Sequence, residues 1–170
     1  MQRKIFVRRY SRGDCYAAHD NLLPERKRQD AHDPPDQEEN DVNHDKWIGI
    51  GGKFEHGESP EECILREFKE ETGLTPTGLR YRAIITFLSE DWCEYMHLFS
   101  ADGYEGTLSD CDEGTLEWVP DEELTSLPIW EGDKVFLRLM KERARFFSLK
   151  LVYEGEHLVR ATLDGQTELI

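Results

Sequence analysis

Gly52 to Leu74 reads GKFEHGESPEECILREFKEETGL, and its punctuation predicts one helix held between two loops. Ser59 offers a capping hydroxyl, Pro60 suits the first helical position, and Glu62 completes a capping box. Gly73 is a C-cap candidate with Pro76 just beyond, so the helix should stop there. Between these ends Ile64, Leu65 and Phe68 form an apolar stripe expected to pack on the core. On the side away from that stripe stand Glu67, Glu70 and Glu71, three and four positions apart, which puts their carboxylates on one face. Like charges so placed repel unless a cation sits among them, and hard oxygen ligands select Mg²⁺, Ca²⁺ or Mn²⁺ over Zn²⁺. On a generic acidic helix this would be a solvated face and nothing more. The surroundings set it apart: Gly51 and Gly52 precede the loop, and Glu58, Arg66 and Gly73 lie at fixed offsets from the cluster.

Downstream, two runs rich in β-branched and aromatic residues, Leu79 to Phe87 and Tyr95 to Ser100, predict neighbouring strands joined by the polar turn Ser89-Glu90-Asp91. A short strand is expected from Leu116 to Val119, then a helical turn from Asp121 to Leu124. Asp133 is placed to cap a second helix whose Val135, Phe136, Leu139 and Met140 share a face. Leu149 to Tyr153 and Leu158 to Thr162 flank Glu154-Gly155-Glu156 and read as a hairpin. Strands mixed with two substantial helices predict an α/β fold, helices packed on a mixed sheet.

The chain has 170 residues and a formal net charge of -15. That length suits one domain. The charge argues against a nucleic-acid-binding surface, because phosphate backbones are held by clustered Lys and Arg; an acidic protein can still bind polyphosphates through divalent cations. Cys15, Cys63, Cys93 and Cys111 are scattered without a CxxC pair, so reduced thiols in a cytoplasmic protein are expected. No apolar stretch approaches the roughly 20 residues that span a bilayer, and the N-terminus lacks the apolar run of a signal peptide; no membrane partner is expected.

The quoted stretch resembles the signature of the Nudix hydrolases at every defined position: a glycine, five residues, Glu, seven residues, Arg-Glu, an apolar residue, any residue, Glu-Glu, any residue, Gly and an aliphatic residue. The resemblance implies an αβα sandwich and an enzyme in which water attacks a phosphorus of a nucleoside diphosphate linked to another group. Carried onto this sequence, Glu67, Glu70 and Glu71 look like the Mg²⁺ ligands, with Mn²⁺ as a substitute and the Gly51 carbonyl as a further candidate. Arg66 would orient one carboxylate. Glu58 is either an outer metal ligand or a partner of Arg66. Glu67 is the first choice for the base or for the residue that positions the water, with Glu113 second.

From Lys46 to about Asp164 the chain looks more specifically like the MutT-related 8-oxo-dGTP diphosphatases, which sanitise oxidised nucleotides in the service of DNA repair. DCDEGTLEWVP, Asp110 to Pro120, and PIWEGDKVF, Pro128 to Phe136, carry that match. In it, Glu113 stands where a carboxylate reaches the metal site, while Trp130 and Asp133 match a base-stacking tryptophan and an acidic base reader. Gly52, Lys53 and Ile48 complete the substrate-binding candidates, although Ile48 stands where some eukaryotic relatives use an amide side chain. The implied reaction is hydrolysis of 8-oxo-dGTP to 8-oxo-dGMP and pyrophosphate. The alternatives are another nucleotide substrate, such as ADP-ribose or a non-oxidised dNTP, and a nucleotide-binding protein without turnover. The partner is a small-molecule nucleotide, with monomer and homodimer both open.

The N-terminal stretch departs from this pattern. Such chains begin with a strand, a turn and a second strand, whereas NLLPERKRQDAHDPPDQEEN, Asn21 to Asn40, is dense in charge and Pro and reads as having no secondary structure. Permissible codons for His19 to Gln37, read one nucleotide later, give TTTYCLKENGRMLMIRRTK, two strand-like runs around Asn-Gly-Arg that lead directly into ENDVNHDKW. The expectation is a Nudix domain over residues 40–170, preceded by an atypical segment, 1–39, that is either frameshifted or a disordered arm.

Overall fold

A computed structural model describes residues 14–19, 23–25, 46–90, 93–109, 115–117, 119–143 and 145–170. The elements run β1 (Asp14–His19), β2 (Leu23–Glu25), β3 (Gly51–Lys53), α1 (Pro60–Thr72), β4 (Leu74–Thr77), β5 (Arg80–Leu88), β6 (Cys93–Ala101), β7 (Gly103–Gly106), β8 (Thr115–Glu117), α2 (Asp121–Leu124), α3 (Glu131–Glu142), β9 (Phe147–Glu154), β10 (His157–Leu163) and β11 (Thr167–Glu168). The main sheet has the order β11-β10-β9-β5-β6-β1-β3, and two short ribbons pair β2 with β8 and β4 with β7. The sheet is mixed: β5 runs antiparallel to β6 and parallel to β9, while β1 runs parallel to β6 and antiparallel to β3. This is the α/β sandwich expected from the sequence.

Alternation places the core. In β9 Phe147, Leu149, Leu151 and Tyr153 are buried while Ser148 and Lys150 face out, and in β5 Ala83, Ile85 and Phe87 point inward. On α1 the inward stripe is Cys63, Ile64 and Phe68, all fully buried, which seats the helix against β1, β3 and β4. The second helix, α3, buries Val135, Phe136, Leu139 and Met140. Arg82 on β5 ties down its last turn by donating to the Met140 and Arg143 carbonyls at 2.9 and 2.7 Å.

Several expectations are corrected. Leu65, placed on the packing stripe of α1, is 36% exposed, because the helix turns its Cys63 side inward instead. The helix assigned to an Asp133 cap starts three residues earlier, at Glu131. Trp130 occupies its N-cap with extended backbone, and Asp133 lies in the first turn. Tertiary anchoring of the Trp130 ring outweighs the capping preference of an aspartate here. The segment read as lacking secondary structure contributes β2, in which Pro24 lies opposite Leu116 of β8. A three-residue strand is specified by its partner and leaves almost no local pattern. Cys63 is disulfide-bonded, whereas Cys93 is free and exposed; separation along the sequence says nothing about which sulfurs meet in the fold.

Candidate active site

The ends of α1 fix its register over β3. The Ser59 amide donates to Glu62 Oε2 at 2.8 Å and the Ser59 hydroxyl accepts from the Glu62 amide at 3.2 Å, closing the expected capping box. At the other end Gly73 adopts φ 74°, a left-handed conformation that glycine tolerates, and its amide donates to the Lys69 carbonyl. A Cβ at Gly73 would also stand 2.7 Å from the Thr107 carbonyl oxygen, so the cap position has neither the torsion nor the space for another residue.

With the helix so held, Glu67 and Glu71 face the β3 backbone and not solvent. The Glu67 carboxylate lies directly over Gly52: an added Cβ would come within 2.3 Å of its Cδ and Oε1. Glu71, 6% exposed, accepts from the Gly51 amide through Oε1 at 3.1 Å. The expectation that all three carboxylates stand away from the packed face therefore holds only for Glu70, whose side chain is 61% exposed.

Arg66 gathers the remaining carboxylates. Its Nε and one terminal nitrogen grip both oxygens of Glu58 at 2.6 and 2.9 Å, a bidentate pair. The other terminal nitrogen donates to Glu67 Oε1 at 2.8 Å and Glu70 Oε2 at 3.0 Å. The Lys53 carbonyl of β3 accepts from the guanidinium at 3.0 Å, leaving the Lys53 side chain exposed. Arg66 thus orients three carboxylates, not one. Its hydrogen bonds hold the Glu58 carboxyl below the usual carboxylate range, against a smaller upward push from burial and with help from the Glu55 amide. Reciprocally, the bonds to Glu58 raise the guanidinium further above its ordinary value.

The donor set fits a hard divalent cation. Glu67, Glu70 and Glu71, with the Gly51 carbonyl, present only oxygens, and the bare Cα of Gly52 leaves the helix close enough to the strand for both to contribute. Among the described residues no three His, Cys, Asp or Glu side chains are already gathered as a cage. Glu67 and Glu70 are engaged with Arg66 and Glu71 is turned under Gly51. Glu113 lies outside the described residues.

A second cluster lies where α3 begins. Trp130 is 6% exposed and meets Tyr153 edge-on, with centroids 5.7 Å apart. Tyr153 in turn stacks on Phe87 at 4.5 Å and accepts from the Gly132 amide at 2.7 Å. Lys46 sets its ammonium 4.3 Å from the centre of a Trp130 ring and also pairs with Glu156 at 3.0 Å. The Trp47 amide donates to the Pro128 carbonyl at 2.9 Å, which brings half-buried Ile48 to the same end of the molecule as Trp130 and Asp133. The sequence reading passed over Lys46 and Tyr153. It also passed over Glu94, buried in β6 in register with Met96 and Leu98, although the alternation of that strand marks an acid on the inward row.

Residues 19–140 match the NUDIX domain family. The chain is a Nudix hydrolase. It is similar to the oxidized purine nucleoside triphosphate hydrolase of Danio rerio, at 32% identity over 126 residues that cover 73% of this chain and 81% of that protein. It is similar also to the uncharacterized Nudix hydrolase YvcI of Bacillus subtilis, at 34% over 129 residues, 71% of this chain and 80% of that one. The crystal structure of a MutT protein from Bacillus halodurans superposes with a TM-score of 0.72 at 26% identity, covering 91% of this chain and 97% of that one. Nudix hydrolases generally use divalent metal cations such as Mg²⁺ and act on small-molecule nucleotides. Among the described residues no helix of this Nudix protein is long and apolar enough to cross a membrane.

Proposed function

We propose that this Nudix hydrolase is a nucleoside triphosphate pyrophosphatase that converts 8-oxo-dGTP to 8-oxo-dGMP and pyrophosphate, acting in the cytoplasm in oxidised-nucleotide sanitation. The observation that carries the reading is the pairing of two clusters: an oxygen-rich face of α1 held against β3, and an aromatic wall at the start of α3 suited to a purine. The name of the Danio rerio relative points the same way.

In this reading Glu67, Glu70, Glu71 and the Gly51 carbonyl hold Mg²⁺. The metal, when bound, neutralises phosphate oxygens and makes a water easier to deprotonate. Glu67 takes the proton of the attacking water as a new P–O bond forms and the anhydride P–O bond breaks, with pyrophosphate leaving. Arg66 keeps Glu67 aimed by its 2.8 Å bond, and Glu58 keeps Arg66 aimed by its two. Lys53 and Gly52 lie beside the phosphates, and Trp130, Asp133 and Ile48 meet the base. The catalytic domain in this reading is residues 40–170 together with β1 of the main sheet, and the stretch from His19 to Gln37 is read as frameshifted.

Pyrophosphate release with Mg²⁺ from 8-oxo-dGTP, dGTP and ADP-ribose, beside a Glu70→Gln control, tests it. Release from 8-oxo-dGTP well above dGTP, lost in the control, is expected. Preference for ADP-ribose, or release that survives Glu70→Gln, would overturn it.

A further inference from the structure

Glu71 and Glu94 are the two carboxylates buried among the described residues, and the chemistry above uses only Glu71. Glu94 is 2% exposed. It sits on β6 in the row that continues with buried Met96 and Leu98, so packing alone would select an apolar side chain there. Its cross-strand partner on β5 is Phe87, and directly opposed residues of antiparallel strands share a face. Phe87 faces Tyr153, whose ring meets Trp130 and whose hydroxyl holds the first turn of α3. The Glu94 carboxylate therefore belongs to the face and the end of the sheet that carry Trp130 and Asp133.

We propose that Glu94 is a specificity-determining residue that reads the base, accepting the adjacent N1–H and 2-amino N–H donors of a guanine-type purine. The proposal rests on the nucleotide reading given above and deepens it. A carboxylate is acceptor-only when ionised, and its two oxygens match two parallel N–H donors. An adenine-type edge offers one donor beside the N1 lone pair, which a carboxylate repels. Guanine and 8-oxoguanine share the N1–H and 2-amino edge, so Glu94 selects the purine class and leaves recognition of the oxidised position to other groups.

The test compares dGTP with dITP, which differ only in the 2-amino group, and dATP, on the wild-type chain, Glu94→Gln and Glu94→Met. Wild type is expected to prefer dGTP to dITP in kcat/KM by roughly tenfold to a hundredfold, the range for a hydrogen bond to a charged group. Both variants should bring that ratio close to one, with dGTP falling furthest because dITP loses only the hydrogen bond from N1–H. Glu94→Met, which replaces a buried acid with an apolar chain, should melt no lower than wild type and so serves as the check on folding. A dGTP preference kept in both variants, or absent from wild type, overturns the proposal. If no triphosphate is hydrolysed, the nucleotide reading of the reaction fails separately. Binding of dGMP against dIMP to wild type and Glu94→Gln then gives the same ratio without chemistry: a preference lost in Glu94→Gln supports the assignment, and equal binding of both by wild type refutes it.

Discussion

Gly52→Ala adds one methyl group where α1 and β3 come closest. The new Cβ would lie 2.3 Å from Glu67 Cδ and Oε1 and 2.5 Å from Oε2, where ordinary contact begins at 3.4 Å. β3 is pinned by its pairing with β1 and by the Gly51 amide on Glu71, so the carboxylate is what yields. It must retreat by about 1 Å, since close-packed atoms do not overlap. That swing pulls it from the guanidinium bond of 2.8 Å that aims it. A 1 Å misplacement at a reacting group costs about a hundredfold in rate. The fold loses far less, about 1 kcal/mol at the low end of overpacking, because what must move is the far end of a flexible side chain and not backbone. Steady-state pyrophosphate release should show kcat down about a hundredfold with KM changed much less, as expected for an interaction made in the transition state. Thermal melting should drop by about 3 °C. An unchanged kcat in the folded variant would refute the claim that Gly52 sets the position of Glu67.

Ser59→Ala removes one side of the capping box and should cost about 1 kcal/mol in denaturant unfolding, with kcat unaltered. A fall in kcat as large as that of Gly52→Ala would mean the cap, not Gly52, aims the carboxylates. His97, hydrogen-bonded to the Tyr81 hydroxyl and edge-on to Phe54, is held below its ordinary 6.5 by burial, with Glu61 pulling the other way. The unfolded chain therefore takes up the proton first, so stability falls as pH drops below 6.5 until the folded pKa is reached, by up to about 1.4 kcal/mol per pH unit for one group. His97→Gln should flatten that part of the curve, and identical wild-type and variant slopes would rule the assignment out. The nucleotide sequence decides the N-terminus: codons for His19 to Gln37 are expected to encode TTTYCLKENGRMLMIRRTK one nucleotide later. A chain carrying that string in place of residues 19–37 should melt higher and turn over faster. Codons that cannot encode apolar strands in that frame would end the idea.

What could be read from the sequence was what is specified locally. The helix α1 was legible to the residue because Ser59, Pro60, Glu62 and Gly73 each act within one turn of the chain. The hairpin of β9 and β10 was legible because one face of each strand is buried and the turn contains Gly155. The ribbon of β4 and β7 was not, since Pro76 reads as a helix terminator and only pairing with Tyr104 makes it part of a strand. The start of α3 was misjudged because packing of Trp130 on Tyr153 outweighs an aspartate three residues later. In the site, the spacing of Glu67, Glu70 and Glu71 was visible, but its split into one exposed and two inward carboxylates depends on how close β3 comes, which no helical pattern encodes.

The Arg66 guanidinium gives α1 a resident counterion. The acidic face is partly neutralised by the chain itself, so its shape does not wait on a metal to form. Folding and ion capture are then separable events, unlike those of small domains that collapse only around zinc. A divalent cation held as proposed would take over oxygens already in use, so its affinity would be the difference between two sets of bonds. A chelator should empty such a site and leave the protein folded, with the melting temperature rising again only by the mass-action increment of the added ion.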